Sequence, residues 1–495
     1  MDKIKNIINS KWFFLSIVLY YGIFYILFGE WYTKTISTDG YVFHNLIIFW
    51  DQQRHFDTYY IHRILPVILF RTFYNLFSID VSVENVFVGF QIFNLLSIVI
   101  SSFFLKKIFG IFKISEEKQL LGMFLFLINF AVLKFPFYLA VMTDSFAIML
   151  SILLLYFYLK NNIILTIFVT LLLAFTWPMG FYQGLLLIAL PVKFQSLSTP
   201  SDQQKKLISI GAVLYALMTI IFYIYIRQEE INIQQVAKID RTLLYLSITG
   251  VLIAYLFFSK IFYNKNILNT KAFFEKLDYK RIALAVFTFA LVTIIVHLLK
   301  PAPEPTYTTE QMLRDPFLHA LIKPLFFIVA DITYFGAAVF LLLFFWNSFA
   351  KVVSQLGWGL VAAVALNLFL FGITPQTRHL SNLFPWIIVF LMKAIDKYNF
   401  SKLFYITIGI AGFLVSKIWL VLNNFQNYPP MQLDENGCMG FPQQKFWMHI
   451  GPWMNVQMYY VQGGVFLIIG LILFIVLYKI EQSTTGKWTI TPKYK

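Results

Sequence analysis

The side chains best suited to chemistry in this sequence are two carboxylates and two basic pairs, each close to the end of an apolar run. Asp39 stands in Thr38-Asp39-Gly40-Tyr41 and Asp144 in Met142-Thr143-Asp144-Ser145; His62-Arg63 closes the run Tyr59-Tyr60-Ile61, and Arg378-His379 lies between Thr374 and Ser381. A carboxylate in such a place can take a proton or cap a helix, and Asp-Gly is also an ordinary turn. A guanidinium can grip a phosphate through two parallel hydrogen bonds, or it can snorkel to lipid headgroups. The single cysteine, Cys438, and the seven histidines show no metal-ligand spacing beyond His55-Phe56-Asp57, so the residues themselves predict no metal site.

The elements that must position these groups are membrane helices. The chain of 495 residues is 59% hydrophobic and 13% charged, against roughly 25% charged in soluble domains. That excludes a soluble enzyme, a coiled coil and a disordered scaffold. A bilayer core takes about 20 apolar residues per helix, and cutting at charged and Pro/Gly-rich breaks predicts an all-α polytopic protein of 13–14 spans. They are 12–30, 86–105, 119–138, 145–159, 163–179, 181–194, 207–226, 243–263, 282–299, 322–348, 358–373, 382–395, 403–421 and 464–479. The sixth is short and follows Trp177-Pro178-Met179-Gly180, so 163–194 reads equally as one hairpin that dips in and returns. Two ionisable groups fall at membrane depth: Lys134, read as snorkelling, and Asp331, read as bonding a neighbouring helix.

The net charge of +15 then describes orientation rather than a nucleic-acid partner, because Lys and Arg collect in alternate connections. These are the segments around 106–118, 193–206 and 260–281 and the tail 479–495. Both termini are expected on the cytoplasmic side. The segments 31–85, 227–242, 300–321 and 422–463 fall on the opposite face, where long aromatic and acidic connections are expected to build a site. Within 31–85, Val42–Trp50 and Ile64–Phe77 have helical spacing and read as helices lying in the interface. The segment 422–463, rich in Trp, Met, Pro and Gly, reads as a lid or acceptor surface.

Taken together, Thr38-Asp39-Gly40-Tyr41, then Tyr59-Tyr60-Ile61-His62-Arg63-Ile64-Leu65-Pro66, then Met142-Thr143-Asp144-Ser145, and Thr377-Arg378-His379-Leu380 before Pro385 resemble the layout of bacterial GT-C glycosyltransferases. The resemblance covers about the first 400 residues. It implies a lipid-linked sugar donor carried on polyprenyl phosphate, and a glycan, lipid or protein acceptor at the outer face of the bacterial cytoplasmic membrane. On it, Asp39 would be the base on the acceptor or the acid that orients it, Asp144 a second site carboxylate, and Arg378 and His379 with Arg63 and His62 the donor-phosphate binders, either pair able to form the clamp. Tyr41, Tyr59 and Tyr60 would line the substrate. A base acting directly, with no covalent intermediate, implies inversion at the sugar carbon. No cofactor is required by the residues, and a divalent cation is left open. The competing readings are a transporter or lipid-oligosaccharide flippase, and a polysaccharide polymerase or ligase. The sequence shows no matching halves of the kind common in transporters.

Overall fold

The computed structural model describes residues 17–19, 21–22, 38–48, 58–138, 140–192, 194–222, 242–275, 277–299, 317–416 and 456–485. The side chains of Thr38 to Tyr41 are not among what it describes. Most of the expected first span, and 417–455 of the expected last outer segment and its approach, also lie outside the described residues.

Every regular element among the described residues is helical. In chain order the principal helices are α1 Thr38–Ile48, α2 Leu65–Leu76, α3 Val83–Ile111, α4 Glu116–Leu127, α5 Asp144–Leu159, α6 Ile163–Ala174, α7 Pro178–Ala189, α8 Asp202–Ile221 and α9 Leu244–Ser259. They continue as α10 Tyr279–Leu299, α11 Phe326–Phe335, α12 Ala337–Phe344, α13 Trp346–Gln355, α14 Trp358–Phe371, α15 Phe384–Ile395, α16 Lys402–Ser416 and α17 Val456–Thr485. Among the described residues five helices are long and apolar enough to cross a bilayer, or up to seven if each of two bent pairs is one span. This is a polytopic helical membrane protein. Several expected spans are shorter: α6 and α7 have 12 residues each, about 18 Å against a core of about 30 Å.

α6 and α7 form a tight hairpin whose apex is Phe175 to Trp177. Gly184 makes the close approach feasible, because any side chain there would collide with Thr170. Pro178 opens α7 at a position where its missing N–H is not needed.

Two expected spans are broken. The run 119–138 is α4, a π turn over Phe130–Lys134 and a final turn, bent by 62°. Asn129 builds this break with one side chain. Its Nδ2 donates to Leu125 O at 2.9 Å and Phe126 O at 2.7 Å, while its Oδ1 accepts from Val132 N at 3.0 Å. The run 322–348 is likewise α11 and α12, separated at Gly336, and an 81° bend into α13. Gly336 has φ +69°, and a Cβ there would lie 3.2 Å from Cβ of Asn129. The two breaks therefore meet. α13 is amphipathic, with Trp346, Phe349, Ala350 and Val353 buried while Asn347 and Lys351 face outward.

The basic connections are tied together at one end of the bundle. Ser115 N donates to Asp396 Oδ1 at 2.9 Å, Gln195 N to Gln355 O at 2.8 Å and Lys265 N to Ser198 O at 2.8 Å. Lys260 Nζ reaches Asn347 Oδ1 at 2.9 Å, and Arg281 Nη2 reaches Asn161 Oδ1 at 2.7 Å. The opposite end gathers α1, α2, the hairpin apex and the connections before α5 and α15. α1 is clasped to α2 by Arg71 Nη1 donating to Ile47 O at 2.7 Å, while Phe73, Leu76 and Phe77 on and after α2 are exposed. An apolar face left outward suits a helix lying along lipid.

Candidate functional site

The turn after Thr58 is pinned to the hairpin apex. His62 Nδ1 donates to Ala174 O at 3.0 Å, and Leu65 N donates to Phe175 O at 2.9 Å. That attachment places the Arg63 guanidinium 3.8 Å from the Tyr59 ring centroid and 5.3 Å from that of Trp177. Tyr60 meets Tyr59 edge-on at 5.0 Å and Phe43 at 5.8 Å, which joins the turn to α1. Asp39 and Tyr41 enter this description only through the backbone of α1. Asp39 stands one helical turn before Phe43, inside a helix rather than in an Asp-Gly turn.

Arg63 is 6% exposed, and its Nε and Nη1 are buried with no hydrogen-bond acceptor. Among the described residues no carboxylate pairs with it. The two aromatic faces offset part of the cost of burying the charge, but they leave its in-plane donors unsatisfied. A buried cation with open donors is a binding geometry for an anion.

Asp144 and Arg378, 234 positions apart, form a two-pronged ion pair. Nε to Oδ1 and Nη2 to Oδ2 are both 3.0 Å, with Asp144 1% exposed and the Arg378 side chain 15%. The alternative of Asp144 as a helix cap gives way here: Thr143 holds the cap position, and Asp144 is the first helical residue with both oxygens on Arg378. The Phe135 ring centroid lies 5.6 Å from the Arg378 guanidinium carbon. Tyr334, on α11, packs on Phe135 at 5.9 Å and lies within the electrostatic reach of both Asp144 and Arg378.

A buried polar lattice holds the helices that carry this pair. Asn382 Nδ2 donates to Gln183 Oε1 at 2.8 Å and to Asn367 Oδ1 at 3.2 Å. The Ser151 hydroxyl donates to the Asn382 carbonyl, and Trp386 Nε1 donates to Ser151 O at 2.9 Å. α5, α7, α14 and α15 are thereby locked in register beside the pair, the supporting shell that a precise site needs.

His379 packs edge-on against Phe371 at 5.0 Å, and its Nδ1 is buried without a partner. Burial first, then the charges of Arg63, Arg378 and His319, push its pKa down to about 3. His62 is also held below the ordinary imidazole range, mainly by burial, against the opposing effect of its bond to Ala174. Both rings are therefore neutral at pH 7. Because the unfolded chain binds these protons first, stability is fully present above about pH 6.5 and falls as pH drops, until His379 itself protonates near pH 3. His379→Gln is expected to remove up to about 1.4 kcal/mol per pH unit of that acid sensitivity. Melting curves of the detergent-solubilised protein between pH 7 and 4 measure it, and an unchanged slope contradicts it.

No known protein family, curated protein or solved structure matches the chain.

The structure brings Asp144 and Arg378 into contact, and the effect of Arg63 and Arg378 on His379 gathers these groups into one cationic region at one end of the bundle. It gives His62, Tyr59 and Tyr60 positioning contacts around Arg63. Trp177, Tyr334 and His319 belong to the same region and were not among the expected site residues. For Trp177 the Pro178 break was the available signal; Tyr334 and His319 carry none in the sequence. Lys134 is buried at 1% exposure instead of snorkelling, and the buried Oδ1 of Asp331 has no hydrogen-bond partner. Among the described residues no three His, Cys, Asp or Glu side chains cluster for a metal ion, and Asp144 directs both oxygens at Arg378.

Proposed function

We propose that the protein is a GT-C-type glycosyltransferase that moves a sugar from a polyprenyl-phosphate-linked donor to a glycan, lipid or protein acceptor. The site would open on the outer face of the bacterial cytoplasmic membrane, with both termini and the basic end of the bundle inside. The single observation that carries the reading is Arg63, a buried guanidinium with two unsatisfied donors framed by Tyr59 and Trp177. A phosphate monoester or diester offers several oxygens that can accept from these two donors, and aromatic faces beside them suit a sugar ring.

On this reading Arg63 takes the donor phosphate, and its charge stabilises the polyprenyl phosphate that leaves. Asp39 accepts the acceptor hydroxyl proton. The oxygen then forms a bond to the anomeric carbon as the carbon–phosphate-oxygen bond breaks, and the electron pair departs with the phosphate, inverting the sugar. Asp144 fixes the plane of Arg378 and so holds its charge beside this reaction, which makes Asp144 a positioning residue rather than the base. His379, neutral, can donate to or accept from the same anion.

A second reading has one specific observation in its favour. The two broken spans that meet at Asn129 and Gly336, near Lys134 and Asp331 in sequence, resemble the discontinuous helices of transporters. Proteoliposomes loaded with a labelled polyprenyl-phosphate sugar and a membrane acceptor fraction separate the two. The glycosyltransferase reading expects free polyprenyl phosphate and labelled acceptor, with Asp39→Asn slowing transfer at least about 100-fold. Translocation of the label without polyprenyl phosphate release supports the transporter.

A further inference from the structure

At the basic end, far from the site above, α3 ends in an unusual surface. Val88, Ile92, Leu96 and Ile100 are exposed at every fourth position, and exposed Phe103 continues the face to Lys107 one turn later. Residues three or four apart share a helix face, so one apolar stripe runs down α3 and stops at an ammonium group. Lys107 Nζ lies 4.3 Å from the Phe103 ring centroid and 5.8 Å from that of Phe104, folded back over the end of the stripe. Beyond it a hollow of about 340 Å³ opens between the ends of α3 and α5, lined by Lys107, Gly110, Ile111, Tyr156 and Lys160. A Cβ at Gly110 would meet nothing within 4 Å, so the space beside it is open. Neither lysine has a carboxylate partner among the described residues.

We propose that this hollow binds the phosphate headgroup of an anionic phospholipid, with an acyl chain lying along the Val88-to-Phe103 stripe. The two ammonium groups supply the charge, Tyr156 a polar rim and the stripe an apolar track that a soluble anion would not use. A snorkelling lysine needs neither a hollow nor a second lysine across it.

Native mass spectrometry of the full-length protein in neutral detergent, titrated with phosphatidylglycerol or phosphatidylcholine, tests the site. Tighter binding of phosphatidylglycerol is expected, weakened about fivefold by Lys107→Gln or Lys160→Gln alone and more by both. Gly110→Leu, which fills the hollow and leaves both charges, is expected to weaken it as well, whereas Lys402→Gln, at the exposed first residue of α16 and outside the lining of the hollow, is not. Melting temperatures of the variants separate lost binding from lost folding. Equal binding of the two lipids, or unchanged phosphatidylglycerol binding in the double variant, overturns the proposal. So does displacement of the lipid by inorganic phosphate at equal concentration, which would assign the hollow to a soluble anion.

Discussion

Arg63→Met is expected to weaken polyprenyl phosphate binding by roughly 10²–10³-fold while raising the melting temperature of the ligand-free protein. The two effects have one cause. Arg63 is buried with Nε and Nη1 unsatisfied, so the empty protein carries a charge whose desolvation is only partly offset by Tyr59 and Trp177. Removing it in favour of an apolar chain of similar length relieves about 1–4 kcal/mol. With phosphate present the same guanidinium makes charge-assisted bonds worth about 3–4 kcal/mol, which the variant loses. Arg63→Lys should keep the charge and lose the directed Nε and Nη1 donors, giving an intermediate loss of binding. Binding isotherms together with ligand-free melting curves check this. A variant that binds normally, or that is destabilised when empty, contradicts the assignment of Arg63 as an anion ligand.

Asp144 and Arg378 should behave in the opposite way. Their pair is satisfied in the absence of any ligand, through two bonds of 3.0 Å. Asp144→Asn leaves a buried cation short of its counter-charge, and Arg378→Met leaves a buried carboxylate alone. Each is expected to cost about 3–5 kcal/mol, whereas the double substitution should cost much less than the sum. Sugar transfer should fall in all three variants, because Asp144→Asn frees the Arg378 guanidinium from its fixed plane and the other two remove its charge. A coupling energy near zero in the double-mutant cycle would show that the pair is not a unit. Transfer restored in the double variant would show that the pair serves stability alone.

Composition and spacing made the helical membrane class legible, and the amphipathic pattern of Ile64–Phe77 anticipated α2 at Leu65–Leu76 within a residue at each end. The helix-breaking Trp177-Pro178 pair marked the hairpin apex. Two kinds of feature were hidden. Hydropathy does not register a break inside an uninterrupted apolar run, so the bends at Asn129 and after Phe344 were absorbed into continuous spans. Gly336 matters through φ +69° and its closeness to Asn129, which no composition records. The site was legible as residue types but not as partners. Asp144 and Arg378 were each read as facing the substrate, although a bidentate carboxylate–guanidinium geometry turns them towards each other. Of the two basic pairs, the sequence offered no reason to prefer one. The proposed function prefers Arg63, because Arg378 is paired with Asp144 while no carboxylate among the described residues pairs with Arg63.

The structure of the protein determined with polyprenyl phosphate bound puts this distinction to its sharpest test. The phosphate oxygens are expected within about 3 Å of Arg63 Nε or Nη1, beside Tyr59 and Trp177, with the Asp144–Arg378 pair intact. A phosphate seated elsewhere, with the Arg63 donors still unoccupied, would contradict the proposed donor site.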